Sequence, residues 1–342
     1  MELEKYSRQI LFEPIGQRGQ EKLLQSRVAI IGCGALGAVQ AEALARAGVG
    51  FLRLADRDFV EESNLQRQIM FEERDARERL PKAIACQRRI RRINSDIRVE
   101  ALAADVNPTN IEEIIGDVDL VLDGTDNFET RYLINDACVK HGKPWIYGAA
   151  VGSYGLSMTI IPHETPCFRC VLEQLPPPGS SPTCDTVGVI LPIVFMIASI
   201  QVVEALKLLT GQRDQLHRSI IQIDVWQATC HRIKLGALLE KSDCPTCRHG
   251  RYEFLDARIR HLASGLCGRN AVYISQSKRV QIDLPSLAER LRSVGPVKLT
   301  EHLLSFHING YEITLFADGH CIVKGTTDVD LARKLYAQYI GA

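Results

Sequence analysis

The stretch RVAIIGCGALGAVQAEALARA (residues 27–47) joins a short apolar run to a glycine-rich turn and then to a strong helix former at 38–47. Residues 51–55 return to strand character directly afterwards. A strand, a tight turn, a helix and a second strand together make a βαβ unit, whose two strands run parallel. The stretch therefore predicts the start of an α/β fold.

The same alternation continues further along the chain. Predicted helices at 82–93 and 127–141 alternate with predicted strands at 98–103, 119–123 and 144–147. Strands that alternate with helices form parallel sheets, because each crossover helix returns the chain to the same end of the sheet. We therefore expect a doubly wound, Rossmann-like, mostly parallel sheet.

The glycine-rich turn has the pattern of a phosphate-binding loop. Gly32, Gly34 and Gly37 fit GxGxxG, with Ala35 inside the pattern, and Asp56 ends the next predicted strand. Glycines between a strand and a helix let a phosphate approach the helix N-terminus, and an acidic side chain after the next strand can bind ribose hydroxyls. A nucleotide site follows. On these residues alone an NAD- or FAD-dependent oxidoreductase is favoured, and a purely structural glycine turn stays open.

Three further features favour ATP over a dinucleotide. They are the polar run Ser63-Asn64-Leu65-Gln66-Arg67-Gln68, Lys82 on the next helix, and Asp126 with Asn127 after a strand. Triphosphate charge must be met by Arg or Lys and by magnesium, for which a carboxylate is a suitable ligand. Each feature has a plainer alternative: Arg67 and Lys82 as solvated surface charges, and Asp126 as a helix cap.

Two CxxC pairs, Cys167 with Cys170 and Cys244 with Cys247, make sense together as one four-thiolate zinc site. Two residues between cysteines let both sulfurs reach one tetrahedral ion, and the second pair completes the shell. No position is left for water, so we expect a structural zinc. Coincidental buried thiols or separate redox dithiols are the alternative.

The remaining pattern predicts the domain organisation. A proline-rich run interrupts the alternation and predicts a flexible crossover loop near 174–188. Residues 302–324 have the pattern of strands joined by tight turns, and 328–340 that of an amphipathic helix. We predict a nucleotide-binding domain over 1–250, containing the loop and the zinc site, and a small α+β domain of open role over 251–342.

Composition limits the classes of function. The 342 residues carry 41 Lys+Arg and 41 Asp+Glu, which does not suggest a nucleic-acid partner. The charged first residues do not fit a signal peptide, and the 11 cysteines fit a reduced, cytoplasmic setting. The uncharged stretch 187–200 is short for a bilayer span and favours a core or interface helix, so no membrane association is expected. We expect the cysteines outside the CxxC pairs and Cys184 to be buried small residues: Cys33, Cys86, Cys138, Cys230, Cys267 and Cys321.

Over residues 1–250 the sequence resembles the ubiquitin-activating-like adenylyltransferases of bacteria, the ThiF/MoeB/HesA family. The motifs that match occur in the family's order: 6–10 (YSRQI), 32–37 (GCGALG), 63–68 (SNLQRQ), 81–82 (PK), 123–127 (DGTDN), the two CxxC pairs and 183–184 (TC). The stretches 75–82 and 145–154 are similar to the ThiF-type branch, which carries an added C-terminal domain. The chain departs from many members at Ala35, where they have glycine.

The resemblance implies an activity for the 1–250 domain. It would adenylate the C-terminal glycine carboxylate of a small ubiquitin-like sulfur-carrier protein ending in Gly-Gly, of the ThiS or MoaD type, with ATP. Pyrophosphate would leave, and the carrier would be ready for sulfur transfer in thiamine or molybdopterin biosynthesis. The resemblance also implies a homodimer in which Arg8 reaches the partner's ATP.

Residue roles follow from the same resemblance, position by position. It assigns Asp56 to the ribose, Asn64, Arg67 and Lys82 to the phosphates, Asp126 to magnesium and the four CxxC cysteines to zinc. Cys184 matches the family's reactive cysteine, with an inert loop cysteine as the alternative. We expect a separate sulfur donor, such as a cysteine desulfurase. An NAD-dependent oxidoreductase and a non-catalytic carrier-binding scaffold are the competing functions.

Overall fold

The computed structural model describes residues 3–177, 180, 182–236, 238–256, 263–266, 270–275 and 280–341. The chain divides into two compact units. The first holds residues 1–102 and 106–258, and the second holds residues 103–105 and 259–342.

The first unit begins with two helices and then alternates strands and helices. Its elements up to residue 151 are α1 (Ser7–Ile10), α2 (Gly16–Gln25), β1 (Arg27–Ile31), α3 (Ala35–Ala47), β2 (Phe51–Asp56), α4 (Glu73–Glu78), α5 (Lys82–Ile93), β3 (Arg98–Ala103), α6 (Ile111–Gly116), β4 (Leu120–Asp123), α7 (Phe128–Lys140) and β5 (Trp145–Val151). The predicted helix at 82–93 and strand at 98–103 have the observed bounds.

The rest of the first unit adds three strands that the sequence analysis did not predict. Its elements are β6 (Tyr154–Ile160), α8 (Phe168–Val171), α9 (Cys184–Val187), α10 (Leu191–Thr210), β7 (Ser219–Asp224), β8 (Thr229–Lys234) and α11 (Leu238–Lys241). Short 3-10 helices lie at Glu4–Tyr6, Glu62–Asn64 and Arg213–Gln215.

These eight strands form one sheet in the order β3-β2-β1-β4-β5-β6-β7-β8. Strand β1 pairs in parallel with both β2 and β4, and β4 pairs in parallel with β5. From β5 to β8 the pairing is antiparallel. The doubly wound α/β class is confirmed, and the antiparallel extension makes the sheet mixed. Because the strand order reverses between β1 and β4, a ligand crevice is expected at the carboxyl ends of these two strands.

Helices cover both faces of the parallel part of the sheet. Val28 and Ile30 of β1 pack in one core with α3, α5 and α10, while Ala29 and Ile31 pack in another with α6 and α7. Successive side chains of a strand point to opposite faces, so a strand buried on both sides is apolar throughout. This explains the uninterrupted apolar run that ends at Gly32.

Helix α10 passes a simple length-and-hydropathy test for a membrane span, with half of its most apolar window buried inside the protein. It packs against α3, β5 and β6 as a core helix. The expectation that the apolar segment at 187–200 is too short to span a bilayer was wrong. The helix begins at Leu191, with Pro192 in its first turn, and continues to Thr210. Its other face leaves Phe195, Met196 and Val203 exposed.

The second unit is an α+β fold, as predicted. Its elements are β9 (Ala263–Leu266), β10 (Ala271–Ile274), α12 (Leu284–Arg292), β11 (Val297–Leu299), β12 (Leu303–Ile308), β13 (Tyr311–Phe316), β14 (Cys321–Lys324) and α13 (Val329–Tyr339). The strands form an antiparallel sheet in the order β11-β12-β13-β14-β10-β9. Both helices pack on the sheet, with Leu287, Leu335 and Phe306 in the shared core.

Two sequence-based expectations concern residues that lie partly or wholly outside the described ranges. Residues 178, 179 and 181 of the crossover loop lie outside them, and so does Cys267. The end of the loop is helix α9, whose cap Thr183 accepts a hydrogen bond from the Thr186 N–H. Of the remaining unpaired cysteines, Cys230 on the edge strand β8 is exposed, so the expectation that it is buried was wrong.

Candidate functional site

The glycine loop lies at the carboxyl end of β1, where the crevice is expected. A Cβ on Gly37 would lie 1.8 Å from the Gly32 carbonyl oxygen, so Gly37 allows α3 to start against the strand. A Cβ on Gly34 would meet nothing closer than 3.8 Å, so the backbone is open there to an approaching phosphate. Ala35 is the first residue of α3. The loop fits an anion at the N-terminus of a 13-residue helix.

Asp56, at the end of β2, holds this loop. Its Oδ2 accepts a hydrogen bond of 2.6 Å from the Cys33 N–H, and its Oδ1 accepts one of 2.7 Å from the Asp58 N–H. Burial raises the pKa of the Asp56 carboxyl, and the Lys82 ammonium opposes that shift. The structure thus gives Asp56 a loop-holding contact in addition to the ribose role that stays a prediction.

Lys82 is a buried cation and not a solvated surface charge. It is the first residue of α5, its side chain is 4% exposed, and its Nζ lies 3.1 Å from Asp58 Oδ2. Asp58 follows the predicted ribose ligand by two residues and was not among the predicted site residues. The pair joins the Lys82 ammonium to a carboxylate just after β2, and the Asp56 carboxylate also interacts with this ammonium electrostatically.

The polar run after β2 contains both exposed and buried side chains. Ser63 and Gln66 are exposed, and Leu65 packs against the core. Asn64 is buried, and its Oδ1 accepts a hydrogen bond of 3.0 Å from the Glu61 N–H, so part of its amide serves the local turn. Arg67 is half-buried and donates from Nη1 to the Ser63 carbonyl at 2.7 Å.

Gln68, the last residue of the polar run, had no individual role assigned to it and borders the site in the structure. Its side chain is 3% exposed, and its Oε1 has no hydrogen-bond partner among the described residues. Its Nε2 lies 3.9 Å from the position of a Cβ on Gly34. A buried amide oxygen without a partner next to an open glycine fits a site that receives a polar ligand.

Asp126 is not the cap of helix α7. The cap is Asn127, whose side chain accepts a hydrogen bond of 2.9 Å from the Thr130 N–H. Asp126 is exposed at the carboxyl end of β4, where a hard cation would find a carboxylate ligand.

Cys184 lies at the same edge of the sheet. It is the first residue of α9, and its Sγ donates a hydrogen bond of 3.3 Å to the Ala150 carbonyl. Burial raises the pKa of this thiol, the Asp126 carboxylate adds to the shift, and Arg67 opposes it. Cys184 is therefore close enough to Asp126 and Arg67 for both charges to act on its thiol.

Arg8 is far from the glycine loop of its own chain. It is exposed on α1, and its neighbour Gln9 donates a hydrogen bond to the carbonyl of Ala47, the last residue of α3. The glycine loop is at the other end of α3, which at 1.5 Å per residue is roughly 20 Å long. The structure does not bring Arg8 into the site formed by the other predicted residues.

The four CxxC cysteines form one cluster. Their sulfur atoms all lie within 4.8 Å of one another, with 3.6 Å between Cys167 and Cys244 and 3.4 Å between Cys170 and Cys247. Four sulfurs bound to zinc at about 2.3 Å in a tetrahedron are about 3.8 Å apart. The cluster fits a tetrahedral metal ion.

Helix α7 connects the cysteine cluster with the loop that carries Asp126. Asn135, which is fully buried, donates to Cys167 Sγ at 3.7 Å and accepts from the Phe168 N–H at 2.9 Å. Arg131 precedes it by four residues on the same helix, so these two side chains share one face, and Asn127 caps the start of the helix. One end of this face borders the glycine loop region, and the other supports the cysteines.

Comparison with known proteins identifies the family. A family model described as the ThiF family matches residues 6–246. This chain belongs to the ThiF family.

Its relatives within the ThiF family include several named adenylyltransferases. The "Sulfur carrier protein ThiS adenylyltransferase" of Bacillus subtilis is 45% identical over 338 residues, which cover 98% of this chain and 99% of the relative. The Escherichia coli protein of the same name is 40% identical over 244 residues, covering 71% and 94%. The "SAMP-activating enzyme E1" of Haloferax volcanii is 37% identical over 255 residues, covering 75% and 92%.

Solved structures agree with the ThiF-family fold. The crystal structure of E. coli MccB superposes with a TM-score of 0.61 at 24% identity, covering 72% of each chain. At this identity the likeness supports the architecture alone.

Two residues of this ThiF-family site, Asp58 and Arg131, were missed by sequence reasoning, and Gln68 was included in the polar run without a role of its own. Asp58 and Gln68 each lie within two residues of a predicted ligand, so proximity in the sequence was an available signal. Arg131 lies in the middle of a helical pattern, where an arginine ordinarily faces solvent. In the structure it is buried against Asp123.

Proposed function

We propose that this chain adenylates the C-terminal glycine carboxylate of a small ubiquitin-like sulfur-carrier protein, using ATP and releasing pyrophosphate. The observation that carries the proposal is the similarity over 98% of the chain to a named ThiS adenylyltransferase, at 45% identity. The alternative of an NAD-dependent oxidoreductase has no support in the relatives described above.

The reaction joins two anions, because a carboxylate attacks the α-phosphate of ATP. The protein must therefore reduce charge repulsion and hold the reacting groups in line. We assign the reduction of charge to Lys82 and Arg67, which lie at the carboxyl edge of the sheet. Gly34 leaves room for the phosphates, and Asp56 is placed for the ribose at the end of β2. Asn64 supports the turn that carries Arg67.

We assign a magnesium ion to Asp126, with Asn127 as the adjacent cap that fixes the start of α7. The ion would neutralise phosphate charge and orient the triphosphate. An exposed carboxylate at the end of β4 is a hard-oxygen donor, which suits magnesium. The assignment rests on the type of donor atom and on the place of Asp126 in the fold.

We assign a structural zinc ion to Cys167, Cys170, Cys244 and Cys247. Four sulfur donors at tetrahedral spacing leave no open coordination position, and such a donor set selects zinc or an iron–sulfur centre. The ion would connect α8 with the segment after α11. Its role is to hold the end of α7 through Asn135.

For sulfur transfer we propose that Cys184 acts after adenylation. Its position beside Asp126 and Arg67 lets it reach a carrier C-terminus activated at the same edge. A thiolate, or a persulfide carried on it, would attack the activated carboxyl carbon and release AMP, forming a covalent acyl intermediate. The sulfur would come from a separate donor, such as a cysteine desulfurase.

We propose that the active form is a homodimer. Arg8 lies roughly 20 Å from its own glycine loop by the length of α3, so it would serve the partner's ATP. Helix α10 presents Phe195, Met196 and Val203 to solvent, and a second copy would cover this apolar face. Both observations support two copies that complete each other's sites.

We place the protein in the cytoplasm, where its thiols stay reduced, and in thiamine biosynthesis, with molybdopterin biosynthesis as the other pathway. The test is carrier-dependent exchange of labelled pyrophosphate into ATP. ThiS-like and MoaD-like carriers ending in Gly-Gly are compared with the same carriers lacking the last glycine. Exchange with one intact carrier and not with its truncated form supports the reaction and names the pathway. No exchange with any intact carrier contradicts the proposal.

A further inference from the structure

The loop between β4 and α7 is fixed by hydrogen bonds to a buried carboxylate. Asp123, the last residue of β4, is fully buried. Its Oδ1 accepts hydrogen bonds from the Thr125 N–H at 2.8 Å and from the Thr125 hydroxyl at 2.6 Å. Thr125 directly precedes Asp126, so this contact fixes the backbone that presents the Asp126 carboxylate.

Arg131 closes the same loop from the first turns of α7. Its Nε donates to Asp123 Oδ2 at 3.1 Å, and its Nη2 donates to the Thr125 carbonyl at 2.7 Å and to the Gly148 carbonyl at 3.2 Å. The guanidinium also lies 5.2 Å from the centre of the Tyr147 ring. The Arg131 side chain is 7% exposed, so these contacts are shielded from water.

The contacts of Arg131 join three pieces of the site: the end of β4, the Asp126 loop and the middle of β5 at Gly148. The fork of donors on a guanidinium can satisfy a carboxylate and two carbonyls at once, which the single ammonium of a lysine cannot do in the same plane. The Asp123 carboxylate pairs directly with the Arg131 guanidinium, and the Asp126 carboxylate also interacts with it electrostatically.

We propose that Arg131 is a positioning residue for the nucleotide site: by binding Asp123 and the Thr125 carbonyl, it holds Asp126 where a divalent cation bound with ATP requires it. The inference rests on the proposed function for the identity of the nucleotide. Arg131 does not itself touch the nucleotide, and it acts through the loop.

The decisive variant is Arg131→Lys, which keeps the charge and loses the fork. Arg53→Lys is the matched control, because Arg53 is also a largely buried arginine of this sheet. It donates to Glu100 at 2.9 Å and to the Ile114 carbonyl at 2.8 Å, with no role in the proposed site. The measurement is calorimetric binding of a non-hydrolysable ATP analogue across a series of magnesium concentrations, with the thermal midpoint of each variant and without any carrier.

We expect Arg131→Lys to raise the magnesium concentration needed for half-maximal analogue binding by about 10–100-fold, the usual effect of disturbing a group that supports a metal ligand. Arg53→Lys should lower the thermal midpoint to a similar extent and leave the magnesium dependence unchanged. An unchanged magnesium dependence in folded Arg131→Lys, or an equal change in Arg53→Lys, would overturn the inference.

Two further variants keep the test decisive. If Arg131→Lys does not fold, Thr125→Val removes the hydroxyl contact to Asp123 and should raise the magnesium requirement in the same direction; no change would reject the role. In an Asp126→Asn background, Arg131→Lys should add little, because both act on one ligand. Additive effects would show that Arg131 acts independently of Asp126. Because no carrier is present, these outcomes are separate from a failure of the proposed adenylation.

Discussion

Lys82 Nζ lies 3.1 Å from Asp58 Oδ2 in a setting where the lysine side chain is 4% exposed. The ion pair with Asp58 restrains the buried Lys82 ammonium, so its position is fixed before a substrate binds. Arg67, which donates to the Ser63 carbonyl, is likewise restrained by its own turn. Preorganised cations of this kind stabilise a transition state without reorganising at the moment of reaction.

Replacing either of these cations should reduce catalysis far more than stability. Lys82→Ala and Arg67→Ala are each expected to lower carrier-dependent pyrophosphate exchange about 10²–10³-fold, the common cost of one such electrostatic contact. Arg74→Ala is the control, because Arg74 is exposed and pairs with Glu78 on the surface of α4. Near-full exchange in both site variants, with circular dichroism confirming folded protein, would remove these residues from the mechanism.

Mixing two inactive variants should restore activity if Arg8 acts across the dimer. Combining Arg8→Ala chains with Lys82→Ala chains gives mixed dimers in which one of the two sites is intact. Random exchange of subunits then predicts roughly one quarter of the wild-type exchange rate. The control is each variant alone after the same exchange procedure. An absence of recovery in mixed dimers verified by mass spectrometry would place Arg8 outside the partner's site.

Metal content and stability should fall together when the cysteine cluster is broken. The purified chain is expected to carry one zinc per subunit, and Cys244→Ser should lower both zinc content and thermal midpoint. Structural zinc sites bind with apparent energies of about 10–16 kcal/mol in peptides, so the loss is large compared with the stability of a domain. Cys230→Ser, an exposed cysteine on β8, is the matched control. A zinc-free Cys244→Ser protein with the wild-type midpoint would show that the metal does not stabilise the fold.

Cys184 should be needed for sulfur transfer and not for adenylation. Adenylation requires no thiol, so Cys184→Ser is expected to keep pyrophosphate exchange within a few-fold of wild type while lowering thiocarboxylate formation on the carrier when a sulfur donor is supplied. Mass spectrometry of the carrier measures the product. An unchanged rate and yield with the serine variant would make Cys184 a bystander.

The pH dependence of Cys184 alkylation has a definite sign. Because burial and Asp126 raise the pKa of this thiol, its thiolate fraction at neutral pH is smaller than that of an ordinary cysteine, whose pKa is about 8.5. The rate of its alkylation by iodoacetamide should therefore increase with pH, with a midpoint at a higher pH than that of an ordinary cysteine. Asp126→Asn should shift the profile to lower pH, since it removes a negative charge. A Cys184 profile matching that of a free cysteine would contradict the electrostatic placement.

The parallel half of the sheet could be predicted because each of its parts leaves a local pattern. The run before Gly32 is buried on both faces, and the helix beginning at Lys82 has an apolar stripe with a cation at its start. The strands β7 and β8 leave no such pattern. All six residues of β8 are exposed, so burial does not alternate along it, and pairing with β7 is what makes it a strand.

The candidate site divides in the same way. Residues inside recognisable motifs, such as Gly34 and Asp56, could be assigned from spacing. Arg131 and Asp58 could not, because their importance lies in which distant carboxylate or carbonyl the fold brings within hydrogen-bond distance. The placement of Arg8 also needed the structure, since its distance from the glycine loop depends on the packing of α1 at the far end of α3.

Helix α7 follows its cap Asn127 and carries Arg131 and Asn135 on one face, between the Asp126 loop and the cysteine cluster. The number of residues between these positions therefore matters, as well as which residues they are. Inserting or deleting one residue between Asn127 and Asn135 would rotate the cysteine-facing end by about 100° relative to the loop-facing end. The helix could then keep its contacts with the Asp126 loop or with the cysteine cluster, but not with both. The helix therefore acts as a spacer of fixed length between the two sites.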